Sequence, residues 1–198
     1  MIKKQILISK DETLKKHNYF DLRVKDIIEK LYDDSIDEHE LKLFNITIKK
    51  IRLSDMIKLN IQNKLNIQNS YKNLEFVQKK TGVYLFLDKD ENPVYIGFGG
   101  RGKKQDLKER IKKHFSGNES VSKLITNIKE IENYLNNTNL EDTEFKNILL
   151  DYTPFLIVID CGDMYKNKIS MEKNEDNVKF AQALEVILIA LFNSKYNK

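Results

Sequence analysis

Thr81-Gly82-Val83-Tyr84-Leu85-Phe86-Leu87 and, six residues on, Val94-Tyr95-Ile96-Gly97-Phe98-Gly99-Gly100 form the stretch on which the fold turns. Between the apolar runs 82–87 and 94–97 lies Asp88-Lys89-Asp90-Glu91-Asn92-Pro93, rich in turn formers, so the pair predicts a β-hairpin. Side chains alternate along a strand, which puts Val83, Leu85 and Leu87 on one face and Tyr84 on the other, with Tyr95 opposed to Val94 and Ile96. Any register that sets an odd-numbered residue against an even-numbered one brings both phenols to the same side of the sheet. Gly97, Gly99, Gly100 and Gly102 follow, residues that let a backbone turn sharply or approach a ligand. Leu107, Ile111 and Phe115 then recur at i, i+4 and i+8, which predicts a helix over 104–115 with Arg110 and His114 along its edge.

A second signal lies near the other end. From 183 to 192 every residue is apolar except Glu185. A helix apolar on most of its surface is expected to be buried, and a carboxylate carried inside is costly unless it is paired or bound to a cation. Glu185 therefore calls for a partner, either Arg110 or a lysine in an ion pair, or a metal ion.

Charge narrows the class of ligand. The 198 residues carry 34 Lys and Arg against 30 Asp and Glu, a net charge of +4. The balance is uneven: residues 76–118 hold ten basic and five acidic side chains, whereas 119–198 hold nine and thirteen. The hairpin and its helix are thus the part that attracts polyanions, although such a run is also compatible with a plain solvated face. With Cys161 the sole cysteine, neither an internal disulfide nor a cysteine zinc site is possible, which suits a reducing compartment. No signal-peptide pattern is seen and no run reaches the ~20 apolar residues of a membrane span, so a soluble, cytoplasmic protein without a membrane partner is expected.

The remaining elements are read in order. Residues 5–9 form a short β-like run; Val24, Ile27, Ile28 and Leu31 predict a helix over 21–32; the acidic 33–40 reads as a loop; and 41–51 is close to period two. Lys-Leu-Asn-Ile-Gln-Asn then occurs twice, at 58–63 and 64–69, a local duplication matching no solenoid period. Ser116-Gly117 is read as the stop of the Arg110 helix. A second amphipathic helix is predicted over 121–135, a short segment over 145–150, a third strand at 155–159 and a polar loop at 161–174. Asn174, Glu175 and Asp176 open the final helix, because an acceptor and negative charge suit the free amides there.

Gly82-Val83-Tyr84, Tyr95-Ile96-Gly97, Arg110 on the next helix, Glu185 before Leu188-Ile189, and Asn197 together resemble the GIY-YIG nuclease family over about 78–197. The resemblance implies an α/β fold: a GIY-YIG-like core with a three-stranded antiparallel sheet (82–87, 94–97, 155–159) flanked by helices, and an N-terminal α+β extension. Residues 1–75 would be an accessory region contacting DNA or a second subunit, and 76–198 the nuclease core. It further implies a metal-dependent DNA endonuclease with Tyr84, Tyr95, Arg110, His114 and Glu185 as catalytic residues. Glu185 would hold Mg2+ or Mn2+, a hard cation suited to an oxygen ligand. Arg101, Lys103, Lys104, Lys108 and Asn197 would contact nucleic acid.

By that analogy Tyr84 orients or activates water. A phenol with a pKa near ~10 is a poor base unless positive charge lowers it, and His114, whose ordinary pKa lies nearest neutrality, is the other candidate base. Without a long C-terminal binding region or further repair modules, a restriction or phage-defence enzyme acting as a homodimer is the expected type. Phe98 stands where many members of the family carry a polar or basic residue, and it keeps a second reading open: a catalytically inactive nucleic-acid-binding or regulatory module.

Overall fold

The alternation in residues 80–99 becomes two paired strands in the computed structural model, which describes residues 22–32, 38–41, 46–57, 71–102, 105–115, 123–136, 139–140, 145–167 and 171–197. The described helices are α1 (Leu22–Leu31), α2 (Leu53–Ile57), α3 (Leu107–His114), α4 (Lys123–Asn136), α5 (Phe145–Tyr152) and α6 (Glu175–Phe192), with a 3-10 turn at Lys72–Val77. The strands are β1 (Glu38–Leu41), β2 (Ile46–Arg52), β3 (Lys80–Leu87), β4 (Pro93–Gly99), β5 (Phe155–Asp163), β6 (Tyr165–Asn167) and β7 (Glu172–Lys173).

Strands β3 and β4 pair antiparallel with Tyr84 opposite Gly97 and Phe86 opposite Tyr95, the odd-to-even register that puts both tyrosines on one face. β5 lies on the far side of β3, and the predicted three strands are the β5-β3-β4 part of an antiparallel sheet of order β1-β2-β5-β3-β4. The N-terminal region thus adds strands to the same sheet. Residues 38–40, expected in a loop, are in β1; Glu-His-Glu-Leu shows no apolar alternation because an edge strand can be polar. The polar stretch 161–174, also expected as a loop, includes the end of β5 and the short β6-β7 hairpin.

The two faces of the sheet bury different material. On one, Val83, Leu85, Ile96, Ile157 and Ile159 pack under α1 and α6, with Val24, Ile27, Leu184 and Leu188 all essentially inaccessible. Each such aliphatic side chain contributes about 1.5–3 kcal/mol by leaving water. On the other, Tyr84, Phe86, Tyr95, Leu156 and Val158 lie under α3, α4 and α5, with Ile111, Ile128 and Leu149.

Helix α6 is not buried on most sides as expected. It lies on one sheet face only, so the stripe Ala183, Val186, Ala190 faces outward and Val186 is 64% exposed. Glu175 and Asp176 supply the early negative charge, but the Asn174 side chain makes no cap bond. The helix ends at Asn193, which adopts a left-handed conformation (φ 45°) and donates its N–H to the Ile189 carbonyl at 2.9 Å. The strand at 5–9, the hexapeptide duplication, Ser116-Gly117, Lys103 and Lys104 lie outside the described residues.

Candidate active site at the edge of the sheet

β4 is an edge strand, and its outward backbone groups are taken up one after another. Tyr196 donates its N–H to the Val94 carbonyl at 2.7 Å. The Asn197 carboxamide spans Ile96, accepting from its N–H and donating to its carbonyl, both at 2.7 Å. The Phe98 N–H donates to the Glu185 carboxylate. Tyr196 is itself anchored on α4: its hydroxyl donates to the buried Glu132, which also pairs with Lys195, and its carbonyl accepts from Asn127 Nδ2 at 2.8 Å.

Two glycines allow the site to close. A Cβ on Gly97 would overlap the Tyr84 phenol, so the ring lies directly on the strand only because that atom is missing. A Cβ on Gly99 would overlap the backbone of Leu107 and hold the start of α3 away from β4. That start is capped by Asp106, whose carboxylate accepts from Glu109 N and from Lys79 N, both at 2.8 Å. The cap fixes the helix that carries Arg110 and His114.

Beneath α3, Tyr84 and His114 meet through Oη and Nε2 at 2.8 Å, and both are fully inside. The His114 ring is 5.4 Å from those of Tyr84 and Tyr95 and 5.3 Å from Phe86. Burial, with the Arg110 charge adding to it, lowers the His114 pKa to about 3, so the imidazole is neutral at any working pH. Burial likewise pushes the Tyr84 phenol well above its ordinary pKa, with Tyr95 and Glu185 adding and the charge and hydrogen bond of Arg110 opposing. Tyr95 is raised for the same first cause. Neither phenol ionises unaided.

Glu185 reaches the same edge from the opposite face. Burial raises its carboxyl pKa, against the attraction of Arg101 and Arg110 and the Phe98 N–H. Neither guanidinium forms a salt bridge with it among the described residues. Between them is a cavity of about 110 Å³ lined by Phe98, Arg101, Gln105, Arg110 and Glu185. Of the predicted site residues, Arg101, Arg110 and Glu185 therefore meet around one space. Tyr84, Tyr95 and His114 stand behind Arg110, and Asn197 braces the strand.

Lys108, expected to contact nucleic acid, turns its ammonium to Glu75 at 2.7 Å and holds α3 to the 3-10 turn. Sequence reasoning missed Gln105, since a single amide in a loop carries no signal, and the Phe98 N–H, which the edge position of β4 implies once the strand order is known. Phe98 itself packs its ring into the aliphatic core and serves the site through its main chain.

Among the described residues no three His, Cys, Asp or Glu come together to hold a metal. The donor set at Glu185 is one carboxylate facing an open cavity, which fits a hard divalent cation whose other positions go to water and phosphate oxygens. No helix among the described residues is long and apolar enough to cross a membrane.

A hairpin with paired tyrosines, a helix bearing arginine against it and a glutamate arriving across the edge strand are the arrangement that the resemblance to GIY-YIG nucleases implies. Residues 80–153 match the model of the UvrC-like GIY-YIG domain. Among known proteins it is similar to UvrABC system protein C of Fervidobacterium nodosum, 32% identical over 98 residues. That alignment covers 50% of this chain and 14% of the relative, so the likeness concerns a small part of the larger protein.

Proposed function

We propose that the chain is a metal-dependent DNA endonuclease that hydrolyses a phosphodiester at the cavity between Arg110 and Glu185. The observation that carries the reading is the unclosed gap: a carboxylate and two guanidinium groups line one cavity, brought from opposite sheet faces, yet form no ion pair. Such a set is suited to hold a cation and a phosphate together. Arg110 has a fixed fork that fits two phosphate oxygens and stabilises the charge they gain in the transition state. Tyr84 hydrogen-bonds Arg110 from behind and is itself held by His114, so in this geometry it orients the guanidinium. A divalent cation, Mg2+ or Mn2+, held by Glu185 would supply Lewis acidity for the attacking water and the leaving oxygen.

A restriction or phage-defence role suits a catalytic core whose sheet is extended by N-terminal strands. Residues 1–75 are then the part that contacts DNA or a second subunit, and cutting both strands with one site per chain favours a homodimer. A reducing cytoplasm suits Cys161, the sole cysteine, which is buried and forms no disulfide.

Supercoiled plasmid incubated with the protein tests the reading. Nicking that requires Mg2+ or Mn2+ and disappears in Glu185→Ala is the expected result. Binding without nicking under any divalent cation would establish the inactive DNA-binding module instead, and nicking that survives Glu185→Ala would move the chemistry elsewhere.

A further inference from the structure

Arg101 is the only described basic side chain among Arg101, Lys103, Lys104 and Lys108 that lines the cavity, and it sits on a loop rather than on a helix. A loop holds a guanidinium in place only if its own backbone is held. Here Thr81 Oγ1 donates to the Gly99 carbonyl at 2.8 Å, Gly100 N to the Gln105 carbonyl at 2.6 Å and Gln105 N to the Gly102 carbonyl at 3.0 Å. The first fixes the end of β4, and the other two hold Gly100 and Gly102 on either side of Arg101. The carbonyl of Arg101 is held by a different element: Lys173 Nζ donates to it at 2.9 Å.

Lys173 closes the β6-β7 hairpin, where it pairs with Tyr165. The base of that hairpin is fixed in turn, Met164 N donating to the Lys79 carbonyl at 3.0 Å and Asn174 N to the Met164 carbonyl at 2.9 Å. The hairpin lies beyond residues 80–153, outside the segment that matches the family. Its base therefore ties together the start of the hairpin strand β3, the helix that carries Glu185 and the loop that carries Arg101.

The lining of the cavity has two positive groups and one negative, an excess suited to a polyanion. Arg101 is exposed, in contrast to Arg110, which is partly covered, so it faces the side from which DNA would enter. We propose that Lys173 is a positioning residue of this site, holding the Arg101 backbone so that its guanidinium meets a DNA phosphate beside the one bound by Arg110. The proposal rests on the DNA-cleavage reading for its substrate, but the coupling between Lys173 and Arg101 is measurable apart from cleavage.

The experiment is a double-mutant cycle on the full chain with Lys173→Ala, Arg101→Ala, the double variant and Lys173→Arg. Two readouts are taken: KM and kcat for Mg2+-dependent plasmid nicking, and binding of a labelled duplex in chelator as a function of salt. Each single variant is expected to raise KM about tenfold while kcat stays within about threefold, and the double variant to be no worse than Arg101→Ala alone. Arg101→Ala should also lower the slope of log affinity against log salt by about one, and Lys173→Ala should lower it no further in that background. Lys173→Arg, which keeps the donor, restores the wild-type values. Effects that multiply in the double variant, or a Lys173→Arg protein as weak as Lys173→Ala, overturn the proposal. Wild-type protein that binds duplex but never nicks it overturns the hydrolysis reading alone, and the binding cycle then decides the coupling. Wild-type protein that binds no DNA overturns both.

Discussion

The two faces of the sheet solve the burial problem in opposite ways. Under α6 the lining is aliphatic, Val83, Leu85, Ile96, Ile157 and Ile159, with little that needs a hydrogen bond. Under α3 the same strands turn in Tyr84 and Tyr95, and the helix adds His114, so three polar heads are taken out of water. The first face is held by area, and its helix tolerates exposure of Val186 on the other side. The second adds directed bonds to its own apolar cluster, and it depends on atoms that are missing as much as on atoms that are present, as Gly97 shows. The cavity forms where neither arrangement is complete, at the β4 edge, where Glu185 comes from the dry side and Arg110 from the polar one.

If that division is right, removing one group from either side of the cavity should stop the chemistry without unfolding the protein. Arg110→Ala is expected to lower kcat by about 10²–10³-fold, the usual loss of a transition-state donor, and Arg110→Lys to recover little because the fork is lost. Thermal unfolding of both variants near the wild-type midpoint checks that the fold is intact.

Substitutions inside the two faces sharpen the contrast next. Leu188→Ala on the aliphatic face should cost about 2–5 kcal/mol in denaturant unfolding, as a buried cavity does. Gly97→Ala, which only adds a methyl, should cost about 1–3 kcal/mol by forcing the Tyr84 ring off the strand, and unlike Leu188→Ala it should reduce nicking in the fraction that stays folded.

Acid distinguishes the faces as well. His114 has a folded pKa of about 3 against about 6.5 in an unfolded chain, so below about 6.5 the unfolded state binds the extra proton. Its contribution is full above that value and is lost as the pH falls toward 3. A His114→Gln variant should therefore show a flatter stability profile between those limits, and a profile unchanged from wild type would contradict a buried neutral imidazole. Asn197→Ala is expected to lose two hydrogen bonds at a strand edge, about 0.5–1.5 kcal/mol each, read by unfolding and by faster amide exchange at Ile96.

Much of this was legible in the sequence where a short-range rule applied. Alternation and parity alone placed Tyr84 and Tyr95 on one face, and i, i+4 spacing placed Arg110 and His114 together. The third strand was marked by its β-branched run. What escaped depended on partners far along the chain. The pairing of β2 with β5 joins residues about a hundred positions apart, as Thr47 opposite Asp160 shows, and no periodicity reports it. Strands of two and three residues, as in β6 and β7, are too short to show a period, and so Lys173 went unnoticed. The apolar run 183–192 indicated burial but not how much of the helix circumference is covered. Lys108 read as a free cation because Glu75, its partner, is 33 residues away.

The amide clamp of Asn197 has one more consequence. An open strand border invites a second polypeptide to add itself, the step by which soluble proteins begin to clump. Here a side-chain carboxamide imitates the missing peptide unit opposite Ile96, and a carboxylate occupies the next free amide at Phe98. The residues that shape the pocket thereby also guard the molecule against self-templated precipitation.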